Sequence, residues 1–206
     1  MDACMTHPDT LPFPHRIESP SGLAVTLHAN GSIGRFDHRD LVLNLFQANA
    51  MESGLTQLYL RRTDRPSAVV PLLGPGSPSG FAVTADGCRV SGEWLGVRFQ
   101  VTLRLAAATP AWFWHVMLEN QGPEPIPVDL IHTQDLGLAA YGAIRMNEYY
   151  VSQYLDHAPL EHPQRGWVLA TRQNQAVAGR HPWCLIGSLG RGVRYATDAL
   201  QVFGTA

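Results

Sequence analysis

Val97-Arg98-Phe99-Gln100-Val101-Thr102-Leu103-Arg104-Leu105 is the stretch that decides the fold class. Val97, Phe99, Val101, Leu103 and Leu105 fall on one face, and Arg98, Gln100, Thr102 and Arg104 on the other. Successive side chains of an extended backbone point to opposite sides. A period of 2 held over this whole run therefore predicts a half-buried antiparallel strand. Asp86-Gly87 marks a turn ahead of it. Behind it, Ala111 to Gly122 reads AWFWHVMLENQG and is apolar on both faces. That predicts a central strand covered on both sides, or a sandwich strand beside a neighbouring domain. Pro123, Pro125 and Pro127 stop pairing before the run Val128 to Ile131.

The same punctuation continues outward. Leu23, Val25 and Leu27 alternate with small or polar residues and run into Asn30-Gly31. That dipeptide predicts a hairpin with a type I′ turn, whose two central positions both need φ > 0. Leu41 to Phe46 is a second apolar run, and Tyr59-Leu60 opens a third. Residues 71–80, PLLGPGSPSG, read as a loop within the domain. The 19 Gly and 15 Pro are spread between short apolar runs, and no long helix is predicted. Short helical patterns, such as Thr197 to Phe203, lie near the end. The expected fold is all-β, an antiparallel, Greek-key-like β-sandwich over residues 16–206 behind a flexible segment 1–15.

Composition narrows the function. The chain is 45% hydrophobic and 16% charged, which suits a globular domain with a real core. A formal net charge of −2 lacks the electrostatic footprint of a nucleic-acid binder. All 15 basic residues are Arg, which we read as codon bias rather than function. Cys4, Cys88 and Cys184 are few, odd in number and far apart, so a reducing, cytoplasmic setting is expected. No signal peptide and no apolar run of membrane-spanning length is read.

The last 60 residues change character, with more Tyr, Trp, His, Gln and Asn and weaker alternation. Asn147-Glu148-Tyr149-Tyr150-Val151-Ser152-Gln153-Tyr154-Leu155-Asp156-His157 forms one block and Arg172-Gln173-Asn174-Gln175 a second. His181-Pro182-Trp183, Ile186-Gly187-Ser188-Leu189 and Thr197-Asp198-Ala199-Leu200 follow. In order and wording these blocks resemble the N-terminal sandwich domain of glycoside hydrolase family 94. That family holds cellobiose, chitobiose and 1,2-β-oligoglucan phosphorylases and the phosphorylase-like region of cyclic β-1,2-glucan synthases. The resemblance implies a supersandwich similar to galactose mutarotases, and leaves open whether 206 residues complete it. It also implies a separate (α/α)6 barrel carrying the general-acid Asp, so no residue here inherits a catalytic role. The implied partners are a β-linked glucan, that barrel and a second copy in a homodimer. No cofactor, nucleic acid or membrane span is implied.

Three kinds of chemistry can be weighed on the residues. Inverting phosphorolysis needs an acid for the leaving oxygen and an anion site for phosphate. Arg191 and Arg194, flanked by Gly190 and Gly192, are the nearest approach, and a solvated pair is the preferred reading. A mutarotase needs a carboxylate and a His facing one ring. Asp156-His157 and Glu161-His162 are sequence neighbours, which a strand sends to opposite faces. His132 reads as a hydrogen-bonded core residue. His157, His162, His181 and Cys184 match no familiar zinc spacing, and no metal is assigned. Sugar contact suits the aromatics better, because a pyranose offers an apolar face for stacking and hydroxyls for planar polar groups. The candidate contacts are Tyr154, Asp156, Arg172, Gln173, Asn174 and Trp183. The competing reading puts Trp112, Trp114 and Trp183 in the core, and is favoured for the first two. The function expected is a non-catalytic, carbohydrate-associated domain. A stand-alone mutarotase and a purely structural docking module are the alternatives.

Overall fold

The computed structural model describes residues 13–65, 68–198 and residue 201. Most of the N-terminal segment expected to be flexible, and much of Thr197 to Phe203, lie outside the described residues. In chain order the strands are β1 His15–Glu18, β2 Leu23–Leu27, β3 Ile33–His38, β4 Leu41–Val42, β5 Gln57–Arg62, β6 Val69–Pro71, β7 Ser79–Thr84 and β8 Gly87–Trp94. They continue with β9 Val97–Leu105, β10 Trp112–Asn120, β11 Val128–Thr133 and β12 Ala139–Ala140. A helix, α1 Tyr141–Ser152, precedes β13 Leu155–His162, β14 Gly166–Gln173 and β15 Trp183–Gly187. Among the described residues the strand pairings of defined register are antiparallel, and the fold is all-β and sandwich-like. The chain divides into two compact units, Met1–His38 with Gln47–Gln134 and Arg39–Phe46 with Asp135–Ala206.

In the first unit, β9 behaves as its sequence dictates. Val97, Phe99, Val101, Leu103 and Leu105 are all buried, and Leu103 is wholly so at 0% exposure. The sheet order is β10-β9-β8-β7, with Leu103 opposite Trp114 on one side and Cys88 on the other. Phe36 of β3 meets Trp112 of β10 at a ring separation of 5.1 Å, so the β1-β2-β3 meander packs on the same core. A third sheet, β11-β5-β6, buries Leu58, Leu60 and Val70.

Several expectations are corrected here. In the β2–β3 hairpin only Gly31, at φ 80°, is left-handed, so the turn is not type I′. Instead the Gly31 N–H donates to the His28 carbonyl at 2.9 Å, and Asn30 Oδ1 accepts from the Ser32 N–H at 3.0 Å. A side chain at Gly31 would also press on the Phe81 ring at 3.0 Å. Of the run Leu41 to Phe46, only Leu41–Val42 is strand. The 71–80 loop is shorter than expected, because Pro71 closes β6 and Ser79 opens β7. The strand β10 is not central: it is the edge of its sheet, with Trp112 and Trp114 half-buried on the core side and Phe113 and Met117 exposed on the other. His132 lies directly opposite the buried Leu58 and on its face, and keeps part of its surface exposed, while desolvation lowers its pKa to about 4.

The second unit contains the helix that the sequence did not reveal. Ile144 and Val151 of α1 are buried with Val42 and Ala139 of the paired strands β4 and β12. Asn147, at φ −163° and ψ 86°, interrupts the helix, and its Oδ1 accepts the Tyr150 N–H at 2.9 Å as a cap for the following turn. The sheet β13-β14-β15 follows. Its first hairpin turns at Gly166, φ 70°, where a Cβ would lie 2.1 Å from the Gly192 carbonyl oxygen. Gln173 is buried at 0% exposure and ties this sheet to the helix. Its Nε2 donates to the carbonyls of Gly137 at 2.9 Å and Val151 at 3.2 Å, and its Oε1 accepts the Gln175 N–H at 2.9 Å. Asp135 accepts the backbone N–H of Phe46. Burial pushes its carboxyl up to about 6, against the pull of the Phe46 and Leu45 N–H groups and with a smaller push from Glu148.

Four outcomes follow for the folded chain. Leu103→Ala should cost about 2–5 kcal/mol through the cavity it leaves. Arg98→Ala, which breaks an exposed pair with Glu119, should cost about 1 kcal/mol or less in the same denaturant titration. Gln173→Ala takes the amide from the Gly137 and Val151 carbonyls and the Gln175 N–H, the Val151 carbonyl keeping the Tyr154 N–H at 3.3 Å, and should cost about 2–4 kcal/mol. For Asp135 the sign is set by a folded pKa above the unfolded one, so the folded state binds the extra proton between the two. Its contribution is full below the unfolded pKa, near 3.8, and is lost as pH rises to about 6. Chemical denaturation across that window should show this fall in the parent chain and not in Asp135→Asn.

Candidate functional site

Register assembles most of the candidate residues. Asp156 of β13 lies directly opposite Arg172 of β14, and Arg172 directly opposite Trp183 of β15. Directly opposed residues of an antiparallel pair share a face, so the three form one row across the sheet. Asn174, two residues beyond Arg172, joins the row: its Nδ2 donates to Asp156 Oδ2 at 2.7 Å. Its backbone N–H donates to the Tyr154 carbonyl at 2.8 Å. Tyr154 precedes the strand, packs edge-on to Tyr150 at 5.0 Å and donates its hydroxyl to Tyr150 Oη at 2.8 Å.

Arg172 and Asp156 do not pair. The guanidinium carbon sits 5.7 Å from the centre of the Trp183 ring, a cation–π arrangement. Among the described residues Arg172 has no ion pair, and its buried Nε has no hydrogen-bond partner. Trp183 is 58% exposed, so the core reading fails for it. The same face continues as an apolar strip, Ala158 and Leu160 on β13, Val168 and Ala170 on β14, and Leu185 on β15. Leu160 and Leu185 are exposed, at 52% and 66%. Their place on this face could be read only once the β14–β15 register is known, because Ala176 to Pro182 hides it in the sequence.

Gln173 stands apart from the other five. It points to the opposite face with Thr171 and Cys184, all buried, and its side chain serves the fold. His157 shares that opposite side and pairs Nδ1 with Thr171 Oγ1 at 2.9 Å. Burial lowers its pKa against the opposing pull of Asp156. Asp156 and His157 therefore face apart, as do Glu161 and His162 along the same strand. His162 accepts the backbone N–H groups of Gln164 and Arg165 at 3.2 Å, and His181 Nδ1 lies 3.3 Å from the Gln173 carbonyl. The Cys184 thiol is buried and pushed up to about 12. Among the described residues no three His, Cys, Asp or Glu side chains are placed to hold a metal. Arg191 and Arg194 are exposed on the segment after β15. What the row offers is an aromatic surface, a planar donor and a planar acceptor side by side.

Two comparisons bear on this chain. The family model described as the SOGP N-terminal domain matches residues 26–206. A 1,2-beta-oligoglucan phosphorylase of Listeria innocua serovar 6a is 32% identical over 186 residues, which cover 89% of this chain and 16% of that relative. The chain thus spans about a sixth of the length of the curated relative it matches. With the family model matched over most of its length, and in keeping with the family 94 wording of its last third, this chain belongs to the family of SOGP N-terminal domains.

Proposed function

We propose that this chain is a non-catalytic, carbohydrate-associated domain of a β-glucan phosphorylase-type protein, and that the Asp156–Arg172–Trp183 row with Asn174 is its glucan contact. The observation that carries the reading is the open indole of Trp183 beside a guanidinium that, among the described residues, has no acidic partner. Stacking suits the apolar face of a pyranose, and the flanking planar groups suit its hydroxyls. The ligand is a β-linked gluco-oligosaccharide, and likeness to a 1,2-beta-oligoglucan phosphorylase favours the β-1,2 linkage.

The non-catalytic part of the reading is supported by the arrangement of the acids. Asp156 spends one oxygen on the Asn174 amide, and its neighbour His157 faces the other side of the sheet. The row therefore supplies no facing acid–base pair, which a mutarotase would need. In the parent protein the reaction is reversible phosphorolysis on a separate (α/α)6 barrel, with this domain supporting it and the parent forming a homodimer. A cytoplasmic setting is favoured by Cys88 and Cys184, both free and buried. Among the described residues no helix is long and apolar enough to cross a membrane.

Calorimetric titration of the chain with β-1,2-gluco-oligosaccharides should show saturable binding. Trp183→Ala should weaken it about tenfold or more, some 1.4 kcal/mol, with an unchanged melting temperature. Neither glucose anomer exchange nor phosphorolysis should be accelerated. A flat titration from a folded chain would sink the glucan contact and leave a docking module as the better account.

A further inference from the structure

We infer that the row reads a vicinal diol, so that it accepts β-glucans whose interior glucose units keep two adjacent free hydroxyls. The inference rests on the glucan-contact reading above and adds what the contact recognises.

The argument starts from a pair of opposite charges that face each other and do not bond. Directly opposed charges on neighbouring strands ordinarily attract and stabilise the sheet. Here Asp156 is turned to Asn174, which takes Oδ2 at 2.7 Å, and Arg172 is turned to the Trp183 ring. Among the described residues, neither Asp156 Oδ1 nor the terminal guanidinium nitrogens of Arg172 have a hydrogen-bond partner. The Arg172 Nε is buried and without a hydrogen-bond partner, so any contact with a surface ligand falls to the terminal nitrogens of the guanidinium.

A ligand that satisfies both heads must donate to a carboxylate and accept from a guanidinium at adjacent positions. Two neighbouring ring hydroxyls do this. One donates its hydrogen to Asp156, the other accepts from Arg172, and the ring they belong to lies against Trp183. Guanidinium and carboxylate are both planar forks, so they select a fixed spacing rather than any polar group. Linkage decides which glucans carry the pair in their interior. A β-1,2 chain keeps the 3- and 4-hydroxyls and a β-1,4 chain keeps the 2- and 3-hydroxyls. A β-1,3 chain keeps the 2-, 4- and 6-hydroxyls, no two of them adjacent.

The test is calorimetric titration of the whole chain with β-1,2-gluco-oligosaccharides, β-1,4-gluco-oligosaccharides and a long β-1,3-glucan, compared per interior glucose unit. The first two should bind, and the third should be at least tenfold weaker. Periodate, which cleaves vicinal diols, should abolish binding of the β-1,2 ligand. Asp156→Ala and Arg172→Met should each remove the discrimination, with thermal melting checked for both. Equal binding of the β-1,3-glucan, or survival of binding after periodate, overturns the diol inference while leaving the glucan contact standing. Binding of no glucan by the folded chain overturns both.

Discussion

Alternation of side chains along paired antiparallel strands is the constraint on which this structure depends. In the first unit it buries every second residue of β9 and leaves Arg98 and Arg104 free to pair with Glu119 and Asp86 outside. In the second unit the same rule sorts the residues of β13, β14 and β15. Thr171, Gln173 and Cys184 go inward, and Asp156, Arg172 and Trp183 go outward. A slip of one residue between β13 and β14 would exchange these sets. Gln173 would then lose the carbonyls of Gly137 and Val151, and Arg172 would have to be buried without an acid. The three hydrogen bonds of the Gln173 amide thus hold the register that displays the outer row.

That dependence explains where the distinctive wording of the last third falls. Asn147 caps the turn that restarts α1, Gln173 ties β14 to the end of that helix, and Asn174 braces Asp156. Arg172 and Trp183 lie between these ties on the outer face. One short segment of chain supplies both the interior ties and the exposed row. The second unit is closed by residues far apart in sequence, since Asp135 accepts the Phe46 N–H and Gly137 donates to the Leu43 carbonyl at 2.6 Å. Both units combine sequential hairpins with such long-range ties, since in the first unit β5 pairs with the distant strand β11.

Legibility followed the strength of the local signal. The strand β9 is legible because nine residues keep one period, and the run Val128 to Ile131 within β11 because prolines isolate it. For the neighbouring strand β10 the central-strand alternative fails, because apolar residues on both faces do not distinguish a central strand from an edge strand. Only the pairing partners do. The helix α1 was missed because it buries only Ile144 and Val151, breaks at Asn147, and starts from Ala140 without a side-chain cap. None of the usual start signals is present. At the candidate site, residue types and order were visible but facing was not. Asp156, Arg172, Asn174 and Trp183 gather on one side, Tyr154 packs on Tyr150 of the helix, and Gln173 has the same kind of side chain as Asn174 on the other face. Whether a planar amide meets a ligand or the chain's own carbonyls is decided by strand register, which a single sequence does not display. Trp183 was ambiguous for the same reason.

The central claim is that the outward row, and no other aromatic surface of the chain, meets the glucan. Trp94, Trp112, Trp114, Trp167 and Trp183 each carry an indole N–H. Nitrogen-15 NMR of the labelled chain, titrated with a β-1,2-gluco-oligosaccharide, reports on all of them at once, together with the Arg172 Nε–H. The account predicts progressive shifts at Trp183 and Arg172 and unmoved resonances at Trp112 and Trp114. Shifts confined to Trp112 and Trp114, or no shift at saturating ligand, would contradict it.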